Sequence, residues 1–246
     1  MNETTDFALD SDRIAGISER RHILRRVADR IPHENSQLAF STASYLVYFL
    51  TTAAMIQGVV LLSRRVDAHL LFAENGPVEW FQLVLLLACF GCLQTAAYRI
   101  DQRREIFHLL ALLPLAAAVR EMDAILDRSV FDGAWQLIVT LLVLHAFFFI
   151  RRHRLKVTIQ LQPVLASGPF GLLIAGFLVV MVFSRLIGQQ LFWRAALQEQ
   201  YLRLVGRIVE ESCELFGYLL LLFGCIEILR SSFSDLTIRR PLYREE

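Results

Sequence analysis

The sequence predicts an all-α membrane protein, a bundle of six transmembrane helices with an N-terminal amphipathic helix. Three observations lead there. Of 246 residues, 55% are hydrophobic, above the roughly 45–50% apolar content of an average soluble domain, and the mean hydropathy is +0.47. The apolar excess is gathered into blocks about as long as the ~20 residues a helix needs to cross a roughly 30 Å hydrocarbon layer. Charges sit between those blocks or at their ends. A net charge of +1 gives no electrostatic support to a nucleic-acid partner, so the expected partner is the lipid bilayer. A single lysine, Lys156, among 25 basic residues suits an arginine-rich bacterial protein.

Residues 1–37 are polar and form a cytosolic arm without a cleavable signal peptide, leaving the first span to serve as an uncleaved signal. Within the arm, Ile14, Ile17, Leu24, Val27, Ala28 and Ile31 recur at helical spacing between Arg13, Arg20, Arg21, Arg25, Arg26 and Arg30. That pattern predicts a basic amphipathic helix stopped by Pro32. It would lie on the membrane, against anionic lipids, or dock a partner protein. Residues 38–230 hold the six expected spans, at 38–63, 77–98, 106–126, 134–150, 168–188 and 209–229. Residues 231–246 form a cytosolic tail.

Orientation follows from arginine and lysine placement. With the N-terminus inside, the inner segments carry 17 basic residues and the outer ones eight, as the positive-inside rule requires. Both termini are then cytoplasmic and the location is the bacterial inner membrane. Cys89-Phe-Gly-Cys92 lies well inside the second span, too deep for an exchanging thiol pair, and is expected to serve packing.

Two spans are too short without their charges. The third offers 14 uncharged residues before Arg120, and the sixth offers 12 between Glu214 and Glu227. Ionisable groups must therefore enter the membrane, where they are expensive and mark ion paths, relays or ligand sites. In the predicted topology Glu79, Arg120, Glu121, Asp123, Arg185, Glu210, Glu211 and Glu214 converge at the outer face. Glu79 follows Pro77 at a helix start, where a carboxylate meets free N–H groups and the helix dipole. Arg120 and Asp123, three residues apart, are expected to pair on one face, and Arg185 is the expected partner of Glu121. Arg207, Glu210, Glu211 and Glu214 share a helical face, with Arg207 set to neutralise one of the nearer glutamates. Carboxylates so close favour a bound cation, a metal ion or a shared proton. Oxygen donors of this kind suit Mg²⁺ or Ca²⁺. Gln57, Gln82 and Gln136 are placed to line the same vestibule. Gly171 and Ala175 form a small-xxx-small pair expected at a helix contact.

The motifs Glu74-Asn-Gly76-Pro-Val-Glu79-Trp80, Arg120-Glu-Met-Asp123 and Glu210-Glu-Ser-Cys-Glu214 together resemble a pattern of uncharacterised bacterial polytopic inner-membrane proteins. That resemblance covers spans two, three and six and implies no activity. Glu79 and Asp123 also resemble the early acidic motifs of alkaline ceramidase-like membrane hydrolases. The metal site of that superfamily needs histidines, including a late H-x-x-x-H, which this chain lacks. Three functions remain open on the residues alone. They are proton- or cation-linked transport of a small solute, an enzyme acting on a lipid head group, and a non-catalytic subunit or sensor.

Overall fold

The computed structural model of the chain describes residues 42–200 and 202–238. The amphipathic helix expected over residues 12–31 and the second half of the C-terminal tail, 239–246, lie outside the described residues. The chain forms two compact units, Met1–Ile56 and Gln57–Glu246. Helix α1, Thr42–Ser63, contributes its first part to the former. Within it the Thr52 hydroxyl donates to the Tyr48 carbonyl.

The second unit is built from helices, with no strand among its described residues. After the short α2 (Ala68–Leu71) come α3 (Pro77–Arg99), α4 (Arg104–Glu121), α5 (Asp123–Ser129) and α6 (Ala134–Leu165). They are followed by α7 (Gly168–Ile187), α8 (Gln190–Leu197) and α9 (Arg203–Ile238). Among the described residues five helices, α1, α3, α6, α7 and α9, are long and apolar enough to cross a membrane. The expected third span is divided: α4 ends at Glu121, Met122 leaves helical geometry, and α5 starts at Asp123. Charged residues at both ends of α4 reduce its apolar stretch below a full crossing. The six-span count therefore stands at five helices plus this shorter one.

Two boundaries also differ from expectation. The fourth apolar stretch does not end at 150. α6 continues through Arg151–Lys156 to Leu165, with a non-helical residue at His153. Arginine and lysine are good helix formers, so a charge run read as a loop extends the helix instead. The sixth stretch likewise lies inside a longer helix, from Arg203 past Ser231.

Many large apolar side chains on α6 and α7 face outward, among them Leu141, Val143, Phe148, Phe177, Met181 and Val182. Water would not tolerate a continuous surface of this kind; lipid tails would. Inside, α3 packs against α4 and α9, and α9 against α7. One buried cluster joins Cys89 and Leu93 of α3, Phe107 and Ala111 of α4, Leu173 of α7, and Cys225 and Ile228 of α9. The four cysteines are free thiols, and Cys89 and Cys225 fill space in that cluster.

The α7–α9 crossing is set by glycine. A Cβ on Gly176 would sit 2.7 Å from the Gly217 carbonyl oxygen and 2.9 Å from the Leu221 nitrogen, so the two backbones touch there. This corrects the expected Gly171–Ala175 contact. Gly171 faces open space, because the buried row of α7 runs through Leu173, Gly176, Val180 and Ser184. A π-helical turn, Val179–Phe183, interrupts α7 immediately before Ser184. Such turns are rare and re-aim the residues that follow.

At the end of α4 away from Arg120, Glu105 lies just before the third apolar stretch and is almost fully buried. Lys156 Nζ lies 2.8 Å from Glu105 Oε1, and Gln160 Nε2 donates to Oε2 at 2.7 Å. The Lys156 hydrogen bond, opposed by burial and aided by Gln160, holds the Glu105 carboxyl down to about 2. A depressed folded value stabilises the fold above the unfolded value of 4.5 and is lost as pH falls toward 2. Thermal melts should therefore show wild type more stable than Glu105→Gln at neutral pH, with the difference shrinking between pH 4.5 and 2. A gap independent of pH would remove the ion pair as its cause.

Candidate functional site

The C-terminal ends of α4 and α7 and the N-terminal ends of α3 and α9 meet at one end of this unit. Between them lies a cleft of about 510 Å³ lined by all eight residues singled out above: Glu79, Arg120, Glu121, Asp123, Arg185, Glu210, Glu211 and Glu214. Glu74, Asp127, Arg203 and Arg207 complete its charged lining. Eight carboxyl groups thus face four arginines, twice as many acids as guanidinium groups.

Glu214 is the deepest of the carboxylates, with 2% of its surface exposed. Its Oε1 lies 2.7 Å from Arg185 Nη2 and accepts from the Ser184 hydroxyl at 3.3 Å. Its Oε2 stands 4.0 Å from Arg120. Arg185 also reaches Glu210 at 3.0 Å. The π turn of α7 aims Ser184 and Arg185 at α9. Beyond it, a Cβ on Gly188 would meet the Glu210 carboxyl, the end of a flexible side chain. The pair holds at this depth because Glu214 Oε1 finds donors in Arg185 and Ser184; a buried oxygen without one would cost about 1–3 kcal/mol.

Three expected pairings are corrected. Arg120 does not bond Asp123, since the helix break at Met122 puts them in different helices. Its Nη2 donates to Glu121 at 3.1 Å instead. Glu121 is not the partner of Arg185; it accepts from the Tyr218 hydroxyl at 2.8 Å. Arg207 neutralises neither Glu210 nor Glu211. It turns outward to Glu74, at 3.3 Å, in the loop before α3.

Four of the lining carboxylates, Glu79, Asp123, Asp127 and Glu211, have no ion-pair partner among the described residues. Glu79 Oε2 accepts the Asn75 N–H, closing the first turn of α3 much as a capping box does. Asp123 accepts the Ala124 N–H, and Asp127 accepts from Gly133 at 3.0 Å. Glu211 accepts from Gln82 Nε2 at 2.9 Å. Gln82 is fully buried and its own Oε1 has no hydrogen-bond partner among the described residues. It supports the cleft from behind, whereas Gln57 and Gln136 do not line it. Ser184 and Tyr218 were not singled out from the sequence. Tyr218, four residues after Glu214, continues the 207–210–214 face of α9, and that spacing was the available signal.

No three His, Cys, Asp or Glu side chains converge as metal ligands among the described residues. The carboxylates ring the cleft instead of gathering at one point. At the opposite end of α4, His108 Nε2 lies 3.3 Å from His145 Nε2, and His153 stacks on Phe149. His145 is thus part of a packed aromatic group, distant from the cleft.

Fold and cleft together describe a helical protein with several apolar helices of membrane-crossing length and a carboxylate-rich cleft at one end. No family model matches the chain, and no curated protein or solved structure is significantly similar to it.

Proposed function

We propose that this is a multi-pass protein of the bacterial inner membrane, with both termini cytoplasmic. Its outward-facing cleft binds a cation in exchange for protons, as the binding step of proton- or cation-linked transport of a small solute. One observation carries the reading: eight carboxylates and only four arginines line a single cleft. Charge so enclosed attracts cations and focuses their local concentration. The orientation rests on the distribution of basic residues, 17 inside and eight outside. Below the cleft the helices close on the apolar cluster around Leu93, Phe107 and Ile228, which bars ions from the far side. That arrangement fits a carrier open to one side.

Carboxylates spread around a cleft suit an organic ammonium better than a bare Mg²⁺ or Ca²⁺ ion, which needs six or more oxygens at close range. The detergent-purified chain should melt at a higher temperature with ethanolamine present, since a ligand that prefers the folded state stabilises it. Glu211→Gln combined with Asp123→Asn should lose that rise while still folding, because neither residue is in an ion pair. Absence of any rise with ethanolamine, Mg²⁺ or Ca²⁺ would overturn the reading, and a larger rise with Mg²⁺ or Ca²⁺ would replace the ammonium by a metal ion.

A further inference from the structure

A second cavity, an apolar groove of about 460 Å³, runs along the helices below the cleft. Its walls are Leu113 and Ala117 of α4, Val139 of α6, and Ile174, Phe177 and Met181 of α7. The groove and the cleft share two residues, Arg120 and Arg185. A void of this size in hydrocarbon loses the contacts of its whole lining, and water does not fill apolar walls. A lipid tail is the available occupant.

Burial alone does not select that tail, because membrane hydrocarbon is as apolar as the groove. Selection comes from what stands at its mouth. Arg120 pairs with Glu121 and, at 4.0 Å, with Glu214, and Arg185 pairs with Glu210 and Glu214, yet their side chains remain 40% and 44% exposed. Arginine offers five donors in a fork that matches phosphate. Beyond them lie Glu79 and Glu211, carboxylates without an ion-pair partner among the described residues. Along this path the order is apolar groove, two guanidinium groups, then carboxyl groups outside the ion pairs. A phospholipid with a phosphoethanolamine head has the same order of chemistry: chain, phosphate, ammonium.

Resting on the cation-binding reading above, we propose that the ligand is an amphiphile of this class. One acyl chain lies in the groove, the phosphate meets Arg120 and Arg185, and the ammonium enters the carboxylate cleft.

The test titrates the full-length chain in detergent with three probes: lysophosphatidylethanolamine, lysophosphatidylglycerol and ethanolamine. Lysophosphatidylethanolamine should bind at least about tenfold more tightly than either of the others, a difference of roughly 1.4 kcal/mol. Filling the groove from either wall, with Ala117→Trp or Ile174→Trp, should abolish that advantage and leave ethanolamine binding intact. Two groove variants guard against one failing to fold, and the wild-type comparison stands without them. Ethanolamine bound as tightly as the lysolipid, equal binding of the two lysolipids, or groove variants that bind as wild type would each overturn the lipid assignment alone. Loss of ethanolamine binding in wild type would overturn the cation reading on which it rests.

Discussion

Gly176→Leu will lower the melting temperature sharply, while Gly171→Leu, five residues earlier on the same helix, will leave it nearly unchanged. At 176 even a Cβ would meet the backbone of α9, at Gly217 and Leu221. A leucine there forces α7 and α9 apart, an overpacking strain of about 1–3 kcal/mol or more. At 171 nothing lies within 4 Å of an added Cβ. The effect should reach the cleft, because Arg185 and Glu214 stand on opposite sides of the crossing. Gly176→Leu protein that still folds should lose its response to cations. Equal melting of the two variants would refute the close crossing.

The second large effect is expected at Glu214. Glu214→Leu removes the nearest acceptor of Arg185, while Ser184 keeps the Val180 carbonyl at 2.7 Å. The expected loss is about 1–3 kcal/mol, moderated because Arg185 is partly exposed and retains Glu210. A double-mutant cycle separates the pair from its surroundings. Arg185→Met should cost less in the Glu214→Leu background than in wild type, with a coupling of at least about 0.5 kcal/mol. Strictly additive melting shifts would mean that the two side chains do not interact energetically.

The cleft was legible in the sequence because charge inside an apolar block is a strong signal. Arg120, Glu121, Glu210, Glu211 and Glu214 crowd two stretches too short to cross without them, and alternating helix direction brings their ends together. Helical spacing placed Glu210 and Glu214 on one face of α9. Who pairs with whom was not legible. Arg185 meets Glu210 and Glu214, not Glu121, because the π turn at Val179–Phe183 and the glycine crossing set the rotation and depth of α7. Apolar periodicity encodes neither. The separation of Arg120 from Asp123 follows from a break at Met122, which carries no proline or glycine to announce it. The extension of α6 through Arg151–Lys156 was hidden because charged residues mark both loops and solvated helices.

Groove and cleft also explain why Arg120 and Arg185 are worth their place in an otherwise acidic site. Each offsets buried carboxylate charge on α4 or α9, and each stands where an apolar passage opens into a polar one. A protein that only needed its helices fastened would gain little from four carboxyl groups outside any ion pair, among the described residues, around a cavity of about 510 Å³.

The central claim is that this cleft binds a cation in exchange for protons, and calorimetric titration of the purified chain with ethanolamine tests it most directly. The titration is run at one pH in two buffers of different ionisation enthalpy. The account predicts saturable heat that differs between the buffers, because cation entry releases protons from the cleft carboxylates. Saturable heat identical in both buffers would contradict the exchange, and no saturable heat would contradict the site itself.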